Sequence, residues 1–152
     1  MEKEDKELLL QDLCARLPYG VKAYVKNWSK LDRKYYEDIY DVKSVFPSLN
    51  EVHVQSKSGS LDVLLGYYDY DIKPYLFPLS SMTLELRCKI RNLLPNNCDI
   101  SFKNQKITFY NEGIIQLEQL EKIFNLFNLY HIDYRGLIPK GLGIDATGKN
   151  IY

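Results

Sequence analysis

Two periods of hydrophobic spacing run through this chain, and the points where one gives way to the other outline its elements. Over residues 4–16 the apolar positions fall at helical spacing: Leu10, Cys14 and Leu17 recur at i, i+4 and i+7, with Leu13 beside them. Acidic side chains crowd the first turn, where the helix dipole favours them, and Pro18 and Gly20 stop the helix. The period then drops to two. Val21, Ala23 and Val25 alternate with Lys22, Tyr24 and Lys26, the pattern of a strand with one buried face. Residues 27–33 are polar and read as a loop, and residues 36–46 as a second strand ended by Pro47. Residues 51–55 and 61–65 answer each other across Lys57-Ser58-Gly59-Ser60, a hairpin connection in which Gly59 can take a positive φ. Residues 70–76 add a last short strand before Pro78.

Helical spacing returns after Ser80-Ser81-Met82-Thr83, whose oxygens can cap a helix over residues 82–94 with Met82, Leu86, Ile90 and Leu93 on one face. Residues 100–102 and 107–110 read as a second hairpin around Lys103-Asn104-Gln105-Lys106. A third helix over residues 114–130 has the strongest pattern, with Leu117, Leu120, Phe124 and Phe127 in a stripe widened by Ile123 and Tyr130. From Ile132 the chain is irregular and rich in glycine. The expected fold is α+β in one domain, residues 1–152: an N-terminal helix (1–18), a small antiparallel SH3-like or barrel-like sheet (19–78), a helix-hairpin-helix part (79–131) and an irregular tail (132–152).

Composition narrows the chemistry. Twenty basic and twenty acidic residues cancel, which argues against a protein that coats nucleic acid. The three cysteines, Cys14, Cys88 and Cys98, form no CxxC pair, so neither a disulfide framework nor a zinc site is expected. Cys14 and Cys88 fall in predicted helices, where a free thiol is usually a small buried group. With His53 and His131 the only histidines, a multi-histidine metal centre is impossible, and no cofactor is implied. Residues 1–7 are charged and lack the apolar core of a signal peptide. No run approaches the roughly 20 apolar residues that span a bilayer. A reduced cytoplasmic location without membrane contact is therefore expected.

Thirteen tyrosines are the compositional outlier. Tyr67, Tyr68, Tyr70 and Tyr75 cluster, as residues of a protein-contact surface do, or as the rim of a small barrel would. Lys22, Tyr24, Lys26, Trp28 and Lys30 would alternate basic and aromatic groups along one face if the first strand ran past Asn27. Such a face suits a nucleic-acid strand, with ammonium groups for phosphates and flat rings for bases, or it is an ordinary solvated face with Trp28 folded onto the core. Gly141-Leu142-Gly143-Ile144-Asp145-Ala146 has the letters of a dinucleotide fingerprint but lacks the strand, the helix and the later acidic residue that the mechanism needs. His131, Asp133, Tyr134 and Arg135 are the one cluster of catalytic residue types; without a visible orienting partner or pocket, a helix-end histidine and a tail pinned by Tyr134 and Arg135 explain them better.

Three segments stand out as text: residues 12–22 (DLCARLPYGVK), 72–83 (IKPYLFPLSSMT) and 131–142 (HIDYRGLIPKGL). Together they resemble a group of short proteins encoded by phages, prophages and other mobile elements of gut anaerobes. The resemblance implies a bacterial cytoplasmic setting and an accessory role, and no reaction. The leading expectation is a non-enzymatic module that binds another protein. The alternatives are a nucleic-acid-binding module using the Lys22–Lys30 stripe and an enzyme centred on His131. Convergence of Tyr19, Tyr75 and Tyr134 beside Arg16 and Arg135 would make a shared site of the three segments.

Overall fold

The computed structural model describes residues 1–29, 33–57, 59–65, 70–96, 98–103, 106–111 and 114–152. Its elements in chain order are α1 (Lys3–Arg16), β1 (Lys22–Ser29), β2 (Lys34–Phe46), β3 (Glu51–Ser56), β4 (Gly59–Leu64), β5 (Tyr70–Leu76), α2 (Leu84–Leu93), β6 (Cys98–Lys103), β7 (Lys106–Asn111), α3 (Leu117–Leu129) and β8 (Ile144–Asp145). The fold is α+β: a helix, a mostly antiparallel six-stranded sheet, then helices around a two-stranded hairpin.

The large sheet has the order β4-β3-β2-β1-β5-β8, and only β5 and β8 run parallel. Strand β2 is 13 residues long because it serves two neighbours. Its first half pairs with β1, from Lys34 opposite Ser29 to Asp41 opposite Lys22, and its second half pairs with β3. A register shift between Val42 and Ser44 bends it where the partners change. The edge strand β4 comes back against β5, so the sheet curls, though its hydrogen-bonded order stays open at β4 and β8 among the described residues. Inward-facing Val21, Ala23, Val25, Val42, Val52, Val54, Val63, Ile72 and Leu76 share one core. Leu9, Leu10 and Leu13 of α1 close it like a lid.

A second core lies beyond residue 76. Leu86 and Ile90 of α2, Ile123 and Phe127 of α3, Cys98 of β6 and Ile132 fill it, and the hairpin side chains Phe102, Ile107 and Phe109 pack against it. Thr83 caps α2 through its hydroxyl, 3.2 Å from the Leu86 amide, as the polar cluster predicts.

Four expectations are corrected. The buried face of α1 is Leu9, Leu10, Asp12, Leu13 and Arg16 rather than the line through Cys14; a buried ion pair occupies positions that look solvent-facing in sequence, and Cys14 is exposed. Cys88 is exposed too, and Cys98 is the buried thiol. Residues 27–29 are strand, not loop, held by cross-strand pairing without a buried face. On α3, Leu117 is 81% exposed, because the first turn projects past the core that Ile123 and Phe127 enter. The tail is also less loose than expected: Phe77 bridges Ile132, and Tyr75 and Leu76 pair with β8.

Candidate contact surface

Because β1 continues to Ser29, Lys22, Tyr24, Lys26 and Trp28 do share one face, the outer side of the sheet; Lys30 lies outside the described residues. Antiparallel register places Asp41, Ile39, Glu37 and Tyr35 of β2 directly opposite them. On the other flank, β5 sets Lys73 beside Tyr24 and Asp71 beside Lys26. The lysines are therefore matched by carboxylates. Lys22 Nζ is 2.7 Å from Asp41, Lys26 Nζ 3.2 Å from Glu37, and Lys73 Nζ 3.4 Å from Asp71. The hydrogen bond from the Tyr24 hydroxyl, followed by that from Lys26, holds the Glu37 carboxyl below the usual range. The Lys22 hydrogen bond does the same for Asp41. The Tyr24 phenol is pushed up to about 12, by burial first and by Glu37 next.

Between these pairs stand rings. Trp28 and Tyr35 meet edge to face at 4.8 Å, and Lys26 Nζ lies 4.5 Å from the centre of the Tyr35 ring. Tyr35 is 52% exposed and Ile39 41%, so the far end of the β1–β2 hairpin presents apolar surface to solvent. A cleft of about 460 Å³ opens beside it, where β2 leaves β3, with Ile39, Asp41 and Gln55 among its walls. Trp28 is not folded into the core; it is half-buried against Tyr35. Sequence reasoning missed Tyr35, Glu37, Ile39 and Asp41. Their period-two spacing, antiparallel to the β1 stripe, was the available signal.

The tyrosine group divides differently. Tyr67 and Tyr68 lie outside the described residues. Tyr70 is half-buried on the first core, and Tyr75 is only 7% exposed, so neither forms an open patch. The backbone carbonyl of Tyr75 instead accepts from the Tyr152 hydroxyl at 2.7 Å.

The three conspicuous segments do meet, in the seam between the cores. Arg16 is fully buried and donates to Asp12 through Nε at 2.7 Å and Nη2 at 2.9 Å. Its remaining donors reach the carbonyls of Ile132 (2.8 Å) and Phe127 (3.3 Å). Tyr134 stacks on Phe127 with Arg16 5.5 Å and Arg135 5.0 Å from its ring centre, and Arg135 Nε is 3.5 Å from Asp12. The Asp133 carboxylate accepts the amides of Leu137 and Ile138, both at 2.8 Å, while burial pushes its pKa up. Tyr19 does not join; it borders the groove between α2 and α3.

Helix α3 ends here with His131 in the left-handed region (φ 52°). The His131 amide bonds the Asn128 carbonyl and the Ile132 amide bonds that of Phe127, which is the Schellman arrangement with histidine in the place glycine usually takes. The imidazole lies flat against Tyr152, ring centres 3.8 Å apart, and burial, then the Arg16 charge, lowers its pKa to about 4. This is a packed joint in which His131 is a neutral ring. Among the described residues no three His, Cys, Asp or Glu side chains gather as metal ligands, and no helix is long and apolar enough to cross a membrane. No family model, curated protein or solved structure matches the chain.

Proposed function

We propose that the chain is a non-enzymatic interaction module that binds another protein through the outer face of β1, β2 and β5, in the setting of a phage or mobile-element accessory protein. One observation carries this reading: Lys22, Lys26 and Lys73 on that face each have a carboxylate partner, and the rings between them are left partly exposed. A neutralised face offers little to a polyphosphate, whose binding depends on releasing counterions to unpaired cations. Tyr, Trp and an aliphatic side chain bordered by paired charges match the composition of a protein contact.

The test is capture from a native host lysate, treated with nuclease, using the wild type and a Tyr35→Glu/Ile39→Glu variant. Both side chains are exposed, so the variant should fold. A protein retained by the wild type and lost by the variant supports the proposal; equal retention by both, or no specific protein, rejects it. For an isolated complex, Tyr35→Ala at a central contact should cost about 2 kcal/mol, roughly 30-fold in Kd.

A second reading is favoured by one fact, that Lys22, Tyr24, Lys26 and Trp28 do lie on a common face. As a nucleic-acid surface it predicts binding of a single-stranded oligonucleotide that weakens steeply with salt and strengthens in Glu37→Gln/Asp41→Asn, where the lysines are unmasked. Absence of such binding in both proteins removes it.

A further inference from the structure

Lys22, Lys26 and Lys73 of the sheet each have a carboxylate within 3.4 Å, whereas two arginines of α2 are less closely matched. Arg87 and Arg91 stand four residues apart on α2, so both project from one side of the helix over β6. Between helix and strand is a cleft of about 500 Å³, within the range of about 300–1,000 Å³ common for small-molecule sites. Arg87 donates through Nε to the Met82 carbonyl at 3.3 Å and lies 5.9 Å from the centre of the Phe102 ring. Those contacts hold its guanidinium, yet among the described residues it has no carboxylate partner. Arg91 donates through Nη1 to the Cys98 carbonyl. Its nearest carboxylate, Asp99, is 3.9 Å away, 70% exposed, and already accepts the Ile100 amide at 2.8 Å. Carbonyls thus position both guanidinium groups, leaving Arg87 without a carboxylate among the described residues and Arg91 with one long, solvent-exposed ion pair. Asn92 and Ser101 add polar groups to the walls, Asp99 stands on the rim beside Arg91, and Ile100 and Phe102 supply an apolar side.

We propose that this cleft binds a small phosphate monoester carrying a flat ring, the class of a nucleoside monophosphate. Paired guanidinium groups suit the dianionic phosphate, each able to donate two parallel hydrogen bonds. The apolar wall would be left empty by a bare anion and is covered by a ring. The site lies on the second core, and its occupancy does not depend on the contact face of the sheet.

Cys88 provides the test, since it lines the cleft and is exposed, while Cys14 is exposed elsewhere. Alkylation of the two thiols by iodoacetamide is followed peptide by peptide in the presence of adenosine monophosphate, adenosine or inorganic phosphate. The expected result is that the monophosphate slows Cys88 and not Cys14, that adenosine and phosphate alone do so much less, and that Arg87→Gln or Arg91→Gln weakens the protection about tenfold in ligand concentration, as loss of one charged hydrogen bond implies. Arg87→Lys, which keeps the charge and the fold, should lose most of the protection as well. An unchanged Cys88 rate, equal protection in the glutamine variants, or inorganic phosphate protecting as well as the monophosphate overturns the proposal.

Discussion

Replacing Arg16 with methionine should strip the seam of its central cation while leaving the aliphatic stem of α1 in place. Asp12 would remain fully buried, with Arg135 at 3.5 Å as the cation still within ion-pair reach among the described residues. Removing one member of a buried pair costs about 3–5 kcal/mol, and the remaining arginine favours the lower end. The Phe127 carbonyl keeps the Ile132 amide and the Ile132 carbonyl keeps the Tyr134 amide, so neither is orphaned, and loss of the charged hydrogen bond to Ile132 adds about 1 kcal/mol. The expected loss is about 4 kcal/mol, a large share of the roughly 5–15 kcal/mol of a typical domain. With a urea slope of about 2 kcal/mol per molar, the midpoint should fall by about 2 M. Trp28, the one tryptophan, reports on the sheet, and far-ultraviolet circular dichroism weights the helices. If the seam couples the two cores, the two signals coincide in the wild type and separate in Arg16→Met. Asp12→Leu/Arg16→Met, which removes both fully buried charges and leaves only the partly solvated Arg135 without its carboxylate, should recover about 1–3 kcal/mol relative to the single variant. A midpoint shift below about 0.5 M, or a double variant no more stable than the single one, would refute the reasoning.

His131 makes stability depend on acid: its folded pKa of about 4 lies below the ordinary 6.5, so the unfolded chain binds the proton first and stability falls as pH drops from about 6.5 to 4. The shift corresponds to roughly 3 kcal/mol, and His131→Asn, which tolerates the left-handed backbone, should flatten that part of a stability–pH curve; Asp133, raised by burial, contributes with the opposite sign and is unaffected by the variant. Gly143→Ala should destabilise by about 1–3 kcal/mol in thermal unfolding, because its new carbon would sit 3.3 Å from both Leu137 and Leu76 in the first core. In native protein a thiol reagent should titrate Cys14 and Cys88, and Cys98 only after denaturant is added. Swapping Lys26→Glu with Glu37→Lys should change stability by less than about 1 kcal/mol, since the pair is half in solvent.

The sheet was readable because its signal is local: Val21, Ala23 and Val25 alternate with polar residues, and burial follows the alternation. Helix α2 was readable for the same reason, with Thr83 marking its start. The lid helix misled because Asp12 and Arg16 look like solvent-facing residues until their partners, more than a hundred positions away, are known. Likewise the stripe on β1 was visible as text, but its meaning depends on Asp41, Glu37 and Asp71 arriving from two neighbouring strands. Pairing of charges across strands is a property of register, and no window of sequence contains it. The arginine cleft went unnoticed because its character comes from which acceptors its two cations meet.

The seam also bears on the order in which the chain can acquire its structure. Arg16 must wait for carbonyls 111 and 116 residues downstream. A loop of that length closes slowly, and domains made on the ribosome fold from their N-terminal side. During synthesis the curled sheet can assemble while α1 holds a charge pair with no carbonyl partners, so the lid should seat last, after α3 has docked. Until then Leu9, Leu10 and Leu13 stay uncovered, and the nascent chain carries an apolar helix that a chaperone would recognise.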